Sequence, residues 1–231
     1  MLLPLAIAIA PVFVLALMVY LRDRNPEPPQ TLLRAFGGGI ACVALVLLIH
    51  YVTSLMGLDL ESNVMLRAYV SAGLIEEGCK LLVFMWLIWK HPEFDEPFDA
   101  IVYACYVSLG FACVENIMYV FESGAAFLQT GIMRALFAVP GHFFFAVIMG
   151  MFLAHARFTR NTWAISVNLV LALLVPTLLH GTYDYLLMLN EELLNTTGSG
   201  SIAITLGFYL FDFWLWRFAM KRMRRMQYDN Y

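Results

Sequence analysis

Leu74-Ile-Glu-Glu-Gly-Cys-Lys-Leu-Leu82 sits inside an apolar run that extends from about Leu66 to Trp89. A run of this length is what a helix needs to cross the hydrocarbon core of a bilayer, about 20 residues. Glu76, Glu77 and Lys80 interrupt it, and each ionisable group costs at least ~2.5 kcal/mol near the bilayer centre. Such residues are functional candidates by default. Outward from this stretch, similar runs lie at about Leu3 to Leu21, Ala35 to Met56, Phe98 to Phe121, Ile132 to Ala154, Trp163 to Leu189 and Ile202 to Met220. The sequence therefore predicts an all-α, polytopic membrane helix bundle of about seven transmembrane helices.

Composition agrees. Of 231 residues, 61% are hydrophobic and 13% charged, against about 45–50% and about 25% in soluble domains. A soluble fold is excluded, and residues 1–231 are read as a single integral membrane domain with a motif-bearing core at 66–189 and a basic tail at 217–231. The first run ends in Arg22-Asp-Arg24 without an obvious cleavage site and is read as a retained span. The net charge of -3 and the scattered basic residues give no platform for nucleic acid. Cys42, Cys79, Cys105 and Cys113 have no CxxC spacing and read as small core residues.

Lys and Arg gather on the cytoplasmic side of membrane proteins. With the amino terminus outside, Arg22, Arg24, Arg34, Lys90, Arg157, Arg160, Arg217, Lys221, Arg222, Arg224 and Arg225 fall inside, and Arg67 and Arg134 outside. The expected orientation is amino terminus out and carboxyl terminus cytoplasmic. Lys221-Arg-Met-Arg-Arg225 then lies against anionic lipid, or serves simply as a topology anchor.

Further polar residues occupy other spans: Glu115 and Asn116 in the fourth, His142 in the fifth, His180 and Asp184 in the sixth. At 1.5 Å per residue, Glu76, Glu115, His142 and His180 lie about 15, 9, 15 and 13 Å below the outer surface. Comparable height on four spans predicts one polar cavity open to that side. Glu76 and Glu77 project about 100° apart, so one faces the cavity and the other turns toward Lys80 or a neighbouring helix. Pro140 and Pro176 each remove a helical hydrogen bond close to a histidine.

Five acids in spans, with Asp212 the fifth, face a single base, Lys80. Protons or a divalent cation must offset them. Two histidines and a glutamate form a known ligand set for catalytic zinc, although no HExxH spacing is present.

These motifs resemble the PrsW family of intramembrane proteases: Glu76-Glu-x-x-Lys80, Phe111-Ala-x-x-Glu-Asn116, a histidine on the next span, and His180-x-x-x-Asp184. The order of a double glutamate, a histidine and a final His-x-x-x-polar pattern is more distantly similar to the CAAX-processing endopeptidase and bacteriocin-immunity superfamily. That group has an arginine five residues after the first glutamate, whereas Lys80 comes four after. The resemblance implies a multi-pass protease of the bacterial plasma membrane, which cuts a membrane-anchored protein, typically an anti-sigma factor, on its extracytoplasmic side. It makes Glu76 and Glu77 the catalytic glutamates, with Glu115, His142 and His180 as the rest of the polar core.

The expected mechanism is hydrolysis by water activated at one of the two glutamates, with or without a metal. His180 and Asn116 stabilise the oxyanion, Asp184 fixes a tautomer and Lys80 pairs a glutamate. If zinc is bound, His142, His180 and Glu115 are its expected ligands. The rival readings are a proton- or cation-coupled transporter, weakened by the absence of an internal repeat, and a non-enzymatic immunity or scaffold protein.

Overall fold

A computed structural model describes residues 2–229, all seven of its long helices running without any strand among the described residues. They are α1 (Leu2–Tyr20), α2 (Pro29–Leu55), α3 (Leu66–Glu76 as a π-helix, then Glu77–Leu87 as an α-helix), α4 (Pro97–Glu122), α5 (Gly124–Phe158), α6 (Thr162–Thr197) and α7 (Ile202–Asp229). Six are long and apolar enough to cross a membrane; α3, which carries Glu76, Glu77 and Lys80 at its centre, is the exception.

Helix ends fall where local chemistry puts them, beyond the apolar runs. Asn161 caps α6 by accepting the N–H groups of Trp163 and Ala164. Gly198, at φ 75°, ends that helix in the left-handed conformation, so α6 overshoots the expected limit at Leu189. Likewise α2 starts at Pro29, α5 at Gly124, and α7 continues to Asp229 where Met220 was expected to end the span. Hydropathy marks the part of a helix that suits lipid, whereas caps decide where it stops. The basic tail expected at 217–231 is thus an extension of α7, with residues 230 and 231 outside the described residues. Met223 is buried and the Gln227 amide donates to the Arg22 carbonyl, which holds this extension on the α1–α2 connector.

At the centre lies α4, buried along almost every residue from Phe98 to Cys113. It packs against α1, α2 and α5, while α6 packs against α3 and α5. Small residues permit the close crossings: a Cβ on Gly39 would collide with the Val107 carbonyl, and one on Gly73 would stand 2.8 Å from the Thr177 carbonyl oxygen. The second crossing brings α3 against α6 beside His180.

Candidate active site

The charged residues of α3 meet those of α4, α5 and α6. Lys80 Nζ donates to Glu77 Oε1 at 2.7 Å and Glu76 Oε2 at 3.4 Å, and lies 3.1 Å from His142 Nδ1. With Nδ1 accepting from the ammonium, His142 Nε2–H donates to Glu115 Oε2 at 2.7 Å. Glu115 Oε2 also accepts from Arg134 Nη2 at 2.8 Å. His180 Nδ1–H donates to Glu77 Oε1 at 3.0 Å, leaving Nε2 facing Asp184 Oδ2 at 3.4 Å. The two imidazoles stand edge to face with centroids 5.2 Å apart, and Phe145 stacks on His180 at 4.8 Å.

Local backbone helps to aim these groups. The π-helical half of α3 ends at Glu76, and a second π-helical stretch, Arg134–Ala138, leads into Pro140 and His142. Such turns are frequent at functional sites because they redirect side chains within a helix. Pro140, which has no N–H to continue the ladder, stands in the first turn of the α-helical stretch that follows.

Glu76, Glu115, His142, His180 and Asp184 all line one cavity of about 530 Å³, whose wall also includes Arg134, Phe145 and Tyr183. Glu77 does not line it: its side chain is 0% exposed, beneath Lys80 and His180. The two glutamates that sequence leaves equivalent therefore occupy different environments, Glu76 at the cavity and Glu77 behind it. Asn116 is fully buried as well, giving its amide N–H to the Ala8 carbonyl at 2.6 Å and receiving Arg134 Nε at 2.7 Å. Its amide nitrogen is aimed at Ala8 and the residue is not part of the cavity wall, so the oxyanion role expected for it has no geometry behind it.

Arg134 is the residue that sequence reasoning misses. Counted there only as a charge at a span end, it reaches into the bundle to hold Glu115 and Asn116 together. A long side chain places its charged head well away from its Cα, and the signal for this one was a position only about 6 Å above Glu115 at 1.5 Å per residue, within reach of an arginine. Four carboxylates in the site, Glu76, Glu77, Glu115 and Asp184, thus face two fixed cations, Lys80 and Arg134. His50 lies at the cavity rim with Glu61 and Arg67, whereas Asp212 faces a separate groove formed with α1 and α5.

With every carboxyl ionised and both histidines neutral, two negative charges are in excess, which protons or a divalent cation must offset. One ligand atom from each of Glu76, His142 and His180 lies within 4.8 Å of the other two, and their donor types suit a catalytic zinc-like ion. This group contains Glu76 where the sequence suggested Glu115, whose Oε2 is held by Arg134 and His142 Nε2; His142 itself can serve only by giving up Lys80 at Nδ1 or Glu115 at Nε2. The residues fit such a group in kind and spacing.

A carboxylate–imidazole chamber inside a helical membrane bundle suits the class of enzymes that carry out hydrolysis at the membrane, as it also suits an ion path. Comparison with known families narrows this: the description "PrsW family intramembrane metalloprotease" matches residues 27–215. The chain is 36% identical over 222 residues to Protease PrsW of Oceanobacillus iheyensis, covering 96% of this chain and 94% of that one. It is 38% identical over 190 residues to the Geobacillus kaustophilus protein of that name (80% and 79% covered) and 35% over 223 to the Bacillus subtilis one (96% and 94%). No solved structure matches. This chain belongs to the PrsW family of intramembrane metalloproteases, and is accordingly a multi-pass membrane protease.

Proposed function

We propose that the protein is an endopeptidase that cuts a membrane-anchored substrate, of the anti-sigma-factor type, near the extracytoplasmic face. Its amino terminus lies outside, a reading that the Lys and Arg distribution supports, and its α7 extension rests on anionic lipid. The observation that carries the reading is the cavity at which Glu76, His142, His180 and Asp184 converge inside a bundle of membrane-spanning character. Beneath it, Glu77 and Lys80 line a small void together with Phe84, Val107 and Met149, an apolar floor suited to a one-sided reaction chamber rather than an ion path.

In this mechanism Glu76 takes a proton from the attacking water, the hydroxide adds to the scissile carbonyl, and Glu76 returns the proton to the leaving amine. Glu77, held by Lys80, fixes His180 with its proton on Nδ1, so that Nε2 faces the chamber. Tyr183 supplies the oxyanion donor: its hydroxyl is buried, has no hydrogen-bond partner and belongs to a residue of the cavity wall. Arg134 and Glu115 orient His142. A zinc-class ion held by Glu76, His142 and His180 would supply a water ionised near neutral pH and a polarised carbonyl, with Glu76 then a ligand in place of the base and His142 Nδ1 released from Lys80 to face the ion.

The test is cleavage of a tagged single-span substrate by the purified, reconstituted protein, comparing wild type with Glu76→Gln, Glu77→Gln and His180→Ala, each with and without a chelator. Loss of cleavage in all three variants is expected. Chelator sensitivity with rescue by zinc would assign the metal; full activity in chelator would assign the chemistry to Glu76 alone. Wild-type activity in Glu76→Gln would overturn the mechanism.

A further inference from the structure

The opposite end of α4 carries a second cluster that the hydrolytic mechanism does not use. Asp23 in the α1–α2 connector, Glu27 just ahead of α2, and Asp99 in the first turn of α4 are all buried, at 7%, 5% and 1% exposure. One oxygen from each lies within 4.8 Å of the other two. Asp99 precedes Glu115 by sixteen residues, about 24 Å along the helix, so the two clusters are separate.

Protein donors hold one side of each carboxylate. Asp23 Oδ1 accepts the Asn25 N–H at 3.1 Å, Glu27 Oε2 accepts the Tyr103 hydroxyl, and Asp99 Oδ2 accepts the N–H groups of Asp95 at 3.1 Å and Glu96 at 2.6 Å. Asp23 Oδ2, by contrast, is buried with no partner at all. An orphaned buried acceptor is costly, and nothing in a clasp made only of hydrogen bonds explains it. Burial above all, reinforced by neighbouring acids, pushes Asp23 up to about 6 and Glu27 up to about 9. The adjacent Arg22 brings no relief, for it lies near Arg224 and its Nη1 meets no acceptor.

We propose that Asp23, Glu27 and Asp99 form a binding site for a hard divalent cation of the Mg²⁺, Mn²⁺ or Ca²⁺ class, which clamps the α1–α2 connector onto the head of α4. All-oxygen carboxylate donors select such ions over zinc-class metals, and donors to the remaining oxygens orient the ligands as outer-shell partners do at metal sites. The ion supplies a partner to the buried Asp23 Oδ2, which otherwise has none.

Mn²⁺ binding to the full-length protein in detergent, read from the loss of the free-ion electron paramagnetic resonance signal, tests this. Wild type is expected to bind an equivalent that Mg²⁺ or Ca²⁺ displaces, and the Glu76→Gln/His180→Ala double variant, damaged only at the other cluster, is expected to retain it. Asp23→Asn and Glu27→Gln should each weaken that binding by about tenfold or more, the scale seen when even outer-shell partners are lost. Thermal unfolding of the same samples controls for folding. Mn²⁺ binding that disappears in the double variant, or that is unchanged in Glu27→Gln, would overturn the proposal. So would a Glu27→Gln protein that melts higher than wild type with no response to Mn²⁺, since the amide would then be replacing a carboxyl that shares a proton with Asp99.

Discussion

His180 Nδ1 and Glu77 Oε1 lie 3.0 Å apart, and the same glutamate oxygen receives Lys80 Nζ at 2.7 Å. A single fully buried oxygen therefore ties α6 to α3 and sets the orientation of the imidazole. Its partner in sequence, Glu76, touches the cavity and shares Lys80 only at 3.4 Å. Glu76→Gln and Glu77→Gln are expected to abolish cleavage for different reasons. Glu77→Gln leaves Lys80 buried beside a neutral amide, and breaking a buried pair costs about 3–5 kcal/mol, so it should also lower the thermal unfolding temperature clearly. Glu76→Gln should melt close to wild type. Equal melting temperatures in the two variants would contradict this division of labour.

Arg134 supports two residues at once, Glu115 through Nη2 and Asn116 through Nε. Lysine offers one point charge in place of the planar fork and cannot span both acceptors. Arg134→Lys is therefore expected to lower kcat by about tenfold or more with little change in KM, the pattern for an interaction realised in the transition state. A KM effect alone, in assays with a peptide spanning the cleavage site, would indicate that Arg134 binds substrate instead.

The membrane bundle was legible from the sequence because each crossing demands a long apolar run, and the site because Glu76, Glu77, Lys80, Glu115, His142 and His180 are costly exceptions within those runs. Helix ends were less legible, since Asn161 and Gly198 set them through caps that hydropathy does not weigh. Arg134 and Asn116 were misjudged for a common reason. Height along a helix can be counted from sequence, but the azimuth that turns Asn116 toward Ala8 and the reach that brings Arg134 to Glu115 depend on how the helices pack. The same holds for Glu76 and Glu77, which packing alone distinguishes.

The Tyr183 hydroxyl is buried with no partner, on a residue that lines the cavity. If it meets the developing oxyanion, Tyr183→Phe removes one donor used chiefly in the transition state, and such losses cost about 10²–10³ in kcat. The folded protein should be unharmed, because phenylalanine keeps the ring packed on Phe145 and Phe208 and removes a buried group that has no partner. Cleavage kinetics together with unfolding temperature test both halves: unchanged kcat would remove Tyr183 from the mechanism.

Gly39 and Gly110 face each other where α2 crosses α4, and a Cβ on either would meet backbone of the other helix, Val107 and Phe36 respectively. Because the obstruction is backbone, side-chain rotation cannot relieve it. Gly39→Val should force the helices apart, with overpacking costs of about 1–3 kcal/mol or more. Gly37, two residues earlier on the same helix, has nothing within 4 Å of its would-be Cβ. Gly37→Ala there should be neutral or slightly stabilising, since alanine is the better helix former by about 1 kcal/mol. The pair separates packing from propensity within one turn of α2, and thermal unfolding in a single detergent reads both. A Gly39→Val protein as stable as Gly37→Ala would mean that α2 does not pack on α4 at this crossing, and with it that α4, the helix carrying Glu115 and Asn116 to the site, is held from other sides.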